Sequence, residues 1–192
     1  MDFVCQNLRL ELARPNLNGL PEVQPPPGYT LRWFCPGDAA HWLRIHHDAD
    51  PFNEITPVLF TREFGTDFKH LARCQCYLQD AAGRVIGTGT AWSAPERPDG
   101  PWGRVFWLAI MRHYQGLGLS KPLLAAVCHR LRELGFDRAC VVTSTGRLPA
   151  INLYLQFGFQ PEIHSPAEQE TWDKVLARLK STGRLHETAA AA

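Results

Sequence analysis

Long apolar runs, paired cysteines and an excess of charge of either sign are all missing from this chain of 192 residues. The longest unbroken apolar stretch, Val105 to Met111, is seven residues. That is far below the roughly 18 needed to cross a bilayer, so no membrane span is expected. The opening MDFVCQNLRL lacks a basic leader, and Gln6, Asn7 and Arg9 interrupt any apolar core of a signal peptide. A cytoplasmic protein is the expectation. Lysine and arginine number 20 against 19 acidic residues, a balance of 20 − 19 = +1. A protein built around nucleic acid or an acidic membrane surface carries far more positive charge.

Six cysteines occur without a CxxC pair, which excludes a disulfide scaffold and reads as reduced thiols. His70, Cys74 and Cys76 can be drawn as three metal ligands, but no fourth accompanies them. In CQCYL the two cysteines alternate as in a strand, where free cysteine is a small buried hydrophobe. No metal is expected. Apolar residues make up 45% and charged residues 20%, near the globular average, so the chain can bury a core.

What is present divides unevenly. Residues 1–28 hold one possible strand, Leu8 to Ala13, and a proline-rich linker ending in Pro25, Pro26, Pro27 and Gly28. A single domain is expected over 29–182 and a frayed tail over 183–192. YTLRWF (29–34) alternates like a strand, and Asp38 is placed to cap a helix carrying Ala39, Trp42, Leu43 and Ile45. Residues 51–70 are irregular, with one or two short helices. CQCYLQD and VIGTGTAW, joined by AAGR, read as a hairpin. SAPERPDGPWG (93–103) is a loop.

VFWLAIM is continuously apolar, as in a central strand covered on both faces. Leu123, Val127, Leu131 and Leu134 recur at helical spacing until Gly135. ACVVTS (139–144) is the next strand, PAINLYLQ (149–156) a short helix, and FGFQPEI (157–163) a strand. Ser165, Pro166 and Glu168 form a capping box that opens a helix through about Leu179. The order predicts an α/β architecture: a mixed sheet flanked by helices.

Between the central strand and the long helix lies YQGLGLSK (114–121). Two glycines in a strand-to-helix turn let backbone approach a ligand, and a helix N-terminus offers unpaired N–H groups and a positive dipole end. Lys121 adds a charge. This turn is suited to a diphosphate. A dinucleotide site needs glycine or alanine where Lys121 stands, and an acidic residue where Thr143, Ser144 and Thr145 stand. The P-loop pattern is absent too.

Gln115-Gly116-Leu117-Gly118-Leu119-Ser120 resembles the Q/R-x-x-G-x-G/A segment of the GNAT superfamily of acyl-CoA-dependent N-acetyltransferases. PAINLYLQFGFQPE resembles that family's second signature, A-x-x-L-Y followed by G-F. The resemblance covers roughly residues 29–163. It implies a GNAT-like acyl-CoA N-acyltransferase fold with an extra C-terminal helix, and acetyl-CoA as cosubstrate. It further implies that Leu108, Ala109 and Ile110 line the pantetheine arm, that Gln115 belongs to the cofactor-binding segment, and that pyrophosphate lies on the backbone of Gly116, Leu117, Gly118, Leu119, Ser120 and Lys121. Tyr154 would protonate the departing thiolate. Arg147 stands where the family often has Asn, and the helix after 165 replaces a usual strand.

No residue stands out as the base. Glu54, His113, His70 and a water chain are the candidates. Adjacent His46 and His47 face different sides of a helix. Trp92 and Trp102 are candidates for an apolar acceptor pocket, and Trp107 reads as core. Asp48, Asp50 and Glu54 offer a local acidic rim. The expected reaction is acetyl transfer to a primary amine, on a small molecule or a peptide. A non-catalytic CoA-binding sensor or scaffold is the alternative. Oligomeric state, a homodimer included, stays open.

Overall fold

The computed structural model describes residues 2–97 and 99–183. The expected tail beyond Gly183 therefore lies outside the described residues. The strands belong to one mixed seven-stranded sheet flanked by helices. Two compact units divide the chain: a larger one over Asn16–Ala139, and a smaller one joining the residues up to Pro15 with those from Cys140.

The smaller unit contains a short helix α1 (Phe3–Gln6), β1 (Arg9–Arg14), β6 (Ala139–Ser144), α6 (Leu148–Gln156), β7 (Gln160–Glu162) and α7 (Pro166–Ser181). Strand β1 pairs antiparallel with β7, Leu12 opposite Pro161, and buries Leu10 and Leu12. The end of β6 is tied back to the N-terminus, since Thr145 Oγ1 accepts from the Leu8 N–H at 2.9 Å and donates to the Phe3 carbonyl at 2.7 Å. Residues 143–145, wrong for a dinucleotide site by sequence, are buried structural contacts. Strand β7 is three residues rather than seven, because α6 and its cap consume Phe157 and Gly158. Before α7, the Ser165 hydroxyl accepts the Glu168 N–H at 3.3 Å. The Glu168 carboxylate takes the N–H of His164 at 2.5 Å, one residue earlier than a standard capping box.

The larger unit contains β2 (Thr30–Trp33), α2 (Asp38–Ala49), α3 (Pro57–Phe64), α4 (Phe68–Cys74), β3 (Gln75–Gln79), β4 (Val85–Ser93), β5 (Gly103–Ile110) and α5 (Ser120–Glu133). Its strands run antiparallel in the order β2-β3-β4-β5. The proline-rich segment is more than a spacer: Leu17 is 1% exposed and its N–H donates to the Asp137 carbonyl at 2.8 Å. Cys74 is the last residue of α4 rather than part of a strand, because Asp67 caps that helix and carries it that far. Burial pushes the Cys74 thiol up, and the Cys76 thiol up to about 12, so neither is a ready nucleophile.

Asp38 does not cap α2 as expected. Gly37 holds the cap position with φ +100°, and Asp38 opens the helix itself. Its carboxylate accepts the Cys35 N–H at 2.6 Å and both Arg32 guanidinium nitrogens, at 2.6 and 2.8 Å. Burial works to raise the Asp38 carboxyl, but the Arg32 and Cys35 donors prevail and hold it below its usual range. A group depressed in the folded state stabilises above its unfolded value and loses that contribution as pH falls through the folded one. Asp38→Asn is accordingly expected to cost about 2 kcal/mol at pH 7. The gap from wild type should shrink as pH drops below about 4. Urea unfolding at pH 7 and pH 3 measures this, and an equal gap at both would contradict it.

Candidate active site

The candidate site begins at a defect in the sheet. Thr88 of β4 stands opposite Ala109 of β5, but Thr90 stands opposite Phe106. One extra residue on β5 is therefore absorbed, and Trp107 with Leu108 faces the single Gly89, which is a β-bulge. Trp107 takes φ +46°, a strained value for a bulky side chain. Gly89 has no side chain for a reason of space. A Cβ there would meet Val127 at 3.1 Å and Leu108 at 3.3 Å.

The bulge also changes which way side chains point. Leu108 and Ile110 pack with Cys76, Leu78 and Leu123, whereas Phe106, Trp107, Ala109 and Met111 pack with Trp42, Phe60 and Phe64. Two consecutive aromatic side chains thus share one face. The expectation of a strand covered on both faces fails here, since Phe106 to Ala109 are each only half-buried. Trp107 is thus not plain core. Trp102 lies elsewhere, 6% exposed and hydrogen-bonded to Asp99 at 2.8 Å.

At the end of β5 the Met111 N–H donates to the Ile86 carbonyl at 2.9 Å. Ladder groups alternate along an antiparallel strand, so the polar groups of Ile110 point away from β4. The Ile110 carbonyl is taken by the Gln115 carboxamide at 2.8 Å. Gln115 therefore ties the glycine turn to the strand instead of reaching outward. A single 3₁₀ turn, Arg112–Tyr114, lies between them. It is braced twice: the Arg112 N–H donates to Asp48 at 2.5 Å and the Tyr114 hydroxyl to Asp80 at 2.9 Å.

The turn itself is open. Gly116 and Gly118 adopt φ +79° and +77°, and a Cβ on either would find nothing within 4 Å. Tight packing is not why glycine stands there; the left-handed backbone is. Leu119, 1% exposed, anchors the turn to the core, while Leu117 is exposed. Helix α5 starts at Ser120 with no side-chain cap. Among the described residues the N–H groups of Gly116, Leu117, Gly118, Leu119 and Ser120 meet no acceptor, while that of Lys121 bonds the Gly118 carbonyl at 3.2 Å. Backbone donors around a helix N-terminus, facing open space, make an anion cradle. Exposed Lys121 stands one residue into the helix.

Tyr154 sits on α6 in the smaller unit and is 5% exposed. The helix ends in a Schellman cap: the Phe159 N–H reaches the Tyr154 carbonyl at 3.1 Å and the Gly158 N–H the Leu155 carbonyl at 3.0 Å. Gly158 takes φ +76°, and the Phe159 ring packs on Tyr154 at 5.9 Å between centroids. Tyrosine, glycine and phenylalanine at this spacing thus have a packing role of their own. Arg147 precedes α6, its guanidinium on Ser144 Oγ at 2.6 Å.

The base candidates do not converge. Glu54, His70 and His113 are exposed on three separate segments. His70 approaches Cys74 Sγ at 3.6 Å and the Trp92 ring at 4.9 Å, and His113 packs on Tyr114. His46 is buried and His47 exposed, on different faces as expected. Asp48 and Asp50 accept the backbone N–H groups of Arg112 and Phe52. Sequence reading missed Glu63. Its Oε2 accepts the Trp107 indole N–H at 3.3 Å across 44 residues, a contact with no local signature. No group of three His, Cys, Asp or Glu side chains is placed to hold a metal among the described residues.

A model of the acetyltransferase (GNAT) family matches residues 41–159. The mycothiol acetyltransferase of Nocardia farcinica is 30% identical over 167 residues, covering 80% of this chain and 52% of that protein. That of Thermomonospora curvata is 31% identical, covering 78% and 50%. The chain spans about half the length of these curated relatives. Among solved structures, the GCN5-related N-acetyltransferase of Sphaerobacter thermophilus superposes with a TM-score of 0.64 at 19% identity, covering 80% of this chain and 48% of that one. The ribosomal-protein-S18-alanine N-acetyltransferase of Escherichia coli gives 0.57 at 18% identity, covering 70% and 79%.

Proposed function

The chain belongs to the GNAT family of acetyltransferases, and we propose that it moves an acetyl group from acetyl-CoA to the primary amine of a small molecule. The observation that carries this reading is the open turn at 116–120, whose five backbone donors have no acceptor among the described residues. That cradle fits the pyrophosphate of acetyl-CoA, with Lys121 adding charge. Leu108, Ala109 and Ile110 run alongside the pantetheine arm. The Ile110 N–H, which points away from β4, is the donor we assign to polarising the thioester carbonyl.

In this reading the amine nitrogen attacks the thioester carbonyl, the C–N bond forms, and the C–S bond breaks as the tetrahedral intermediate collapses. Tyr154 gives its hydroxyl proton to the departing sulfur and recovers one from solvent, and the amine's proton leaves through water. Positioning of amine and thioester supplies much of the rate. No helix of the described residues is long and apolar enough to cross a membrane. The curated relatives named as mycothiol acetyltransferases point to a small-molecule acceptor.

Thiol release from acetyl-CoA, followed across a panel of primary amines, tests the proposal. Amine-dependent release is expected. CoA that binds while no amine accelerates release would favour the scaffold reading instead.

A further inference from the structure

The aromatic face created by the bulge is not explained by holding acetyl-CoA. Phe106 and Trp107 stand side by side on it, half-buried. The Trp92 ring stacks near Phe106 at 6.4 Å with the planes 23° apart. Beneath them the buried Phe64 packs edge-on to Trp92 and Phe106 at 5.7 Å each. At the border stands one carboxylate, Glu63, its side chain 20% exposed. Glu63 Oε2 accepts the Trp107 indole N–H, and Oε1 pairs with Arg62, which is itself 71% exposed. A carboxylate has about four lone-pair positions; Oε1 takes both the Nε and an Nη of Arg62, so Oε2 keeps one for a further donor.

We propose that this face is the acceptor subsite, that it selects an arylalkyl primary amine, and that Glu63 is its specificity-determining residue. The proposal rests on the acetyl-transfer reading and names its substrate class. An amine reaches the site as an ammonium ion, and an ammonium is held best by a carboxylate beside the faces of aromatic rings. At the far end of the face Arg104, ion-paired to Glu96, places its guanidinium 5.6 Å from the Phe106 centroid. An apolar ring on the acceptor covers Trp92 and Phe106, which a polar sugar or polyamine does not. Ala109 points to the same face as Trp107. Residues two apart on a strand are about 7 Å apart, so an ammonium at Glu63 and Trp107 lies close to the strand segment assigned to the thioester. The strained backbone at Trp107 is what turns the second ring onto this face.

The test compares 2-phenylethylamine and tryptamine with spermidine and glucosamine as acceptors, using full-length protein and acetyl-CoA. The arylalkyl amines should show kcat/KM about tenfold or more above the polar amines. Glu63→Gln should raise the KM for 2-phenylethylamine about tenfold, with kcat and acetyl-CoA affinity within about twofold of wild type. Trp92→Leu is the second variant, and should raise the same KM while preserving the thermal shift with CoA. Preference for spermidine or glucosamine, or an unchanged amine KM in both variants, would overturn the proposal. Acetyl-CoA that fails to bind wild type would overturn the acetyl-transfer reading, and this one with it; binding intact with the wrong amine preference overturns this one alone.

Discussion

Gly118→Glu abolishes the stabilisation that CoA confers on the wild-type protein. A ligand at about 100 times its dissociation constant adds about 2.7 kcal/mol to unfolding by mass action, and the variant should show none of it. The turn at Gly118 is open, so the new side chain meets no neighbour. Its backbone at φ +77° disfavours any L residue, by about 1 kcal/mol. The protein should therefore fold with a modest loss of Tm. In the proposed site it should no longer accept a diphosphate, because a carboxylate would stand among the backbone donors of the turn. Gly118→Ala separates the two effects: it carries the strain without the charge and should retain most of the CoA-dependent shift. Thermal unfolding with and without CoA measures all three proteins. A full shift in Gly118→Glu would remove the diphosphate from this turn.

Tyr154→Phe should lower kcat by about 100-fold, near the low end of general acid catalysis. That is about 2.7 kcal/mol of transition-state stabilisation. The ring remains, so its contact with Phe159 and the Schellman cap survive. Stability should fall by about 1 kcal/mol, the worth of one hydroxyl hydrogen bond. A tyrosine that serves only the packing role of its motif gives the opposite pattern: a similar stability loss with acetyl transfer unchanged. Single-turnover rates are the proper readout, since slow product release hides a defect in the chemical step. Transfer within about threefold of wild type would take Tyr154 out of the mechanism.

The parts that sequence reading found are those set by local rules. The glycine turn, the long helix after it and the Ser165 start of α7 each follow from backbone conformation, helical spacing or a capping residue. The parts it misread are those where tertiary contacts outvote the local signal. Asp38 is a good helix cap by type, yet Arg32 on β2 draws its carboxylate into an ion pair and Gly37 takes the cap. Cys74 and Cys76 alternate as in a strand, but the helix capped at Asp67 runs through the first of them.

The bulge was invisible for a different reason. VFWLAIM is apolar at every position, so it carries no alternation from which a change of face can be read. Only pairing with β4 shows that Phe106 and Trp107 point the same way. Glu63 is likewise an ordinary charged helix residue until β5 brings Trp107 to it. The glycine turn was legible because a turn is written locally. The aromatic face proposed for the acceptor was not, because it is assembled from α3, β4 and β5.

Backbone amide NMR of the ¹⁵N-labelled protein, titrated with CoA and separately with pantetheine, tests the central claim most directly. If the turn holds the pyrophosphate through its N–H groups, as proposed, the amide signals of Gly116, Leu117, Gly118, Leu119 and Ser120 should move downfield with CoA. Pantetheine lacks the pyrophosphate and should leave those five in place while shifting Leu108 to Ile110. If CoA binds and the five amides stay still, the turn is not the diphosphate site and the account fails at its foundation.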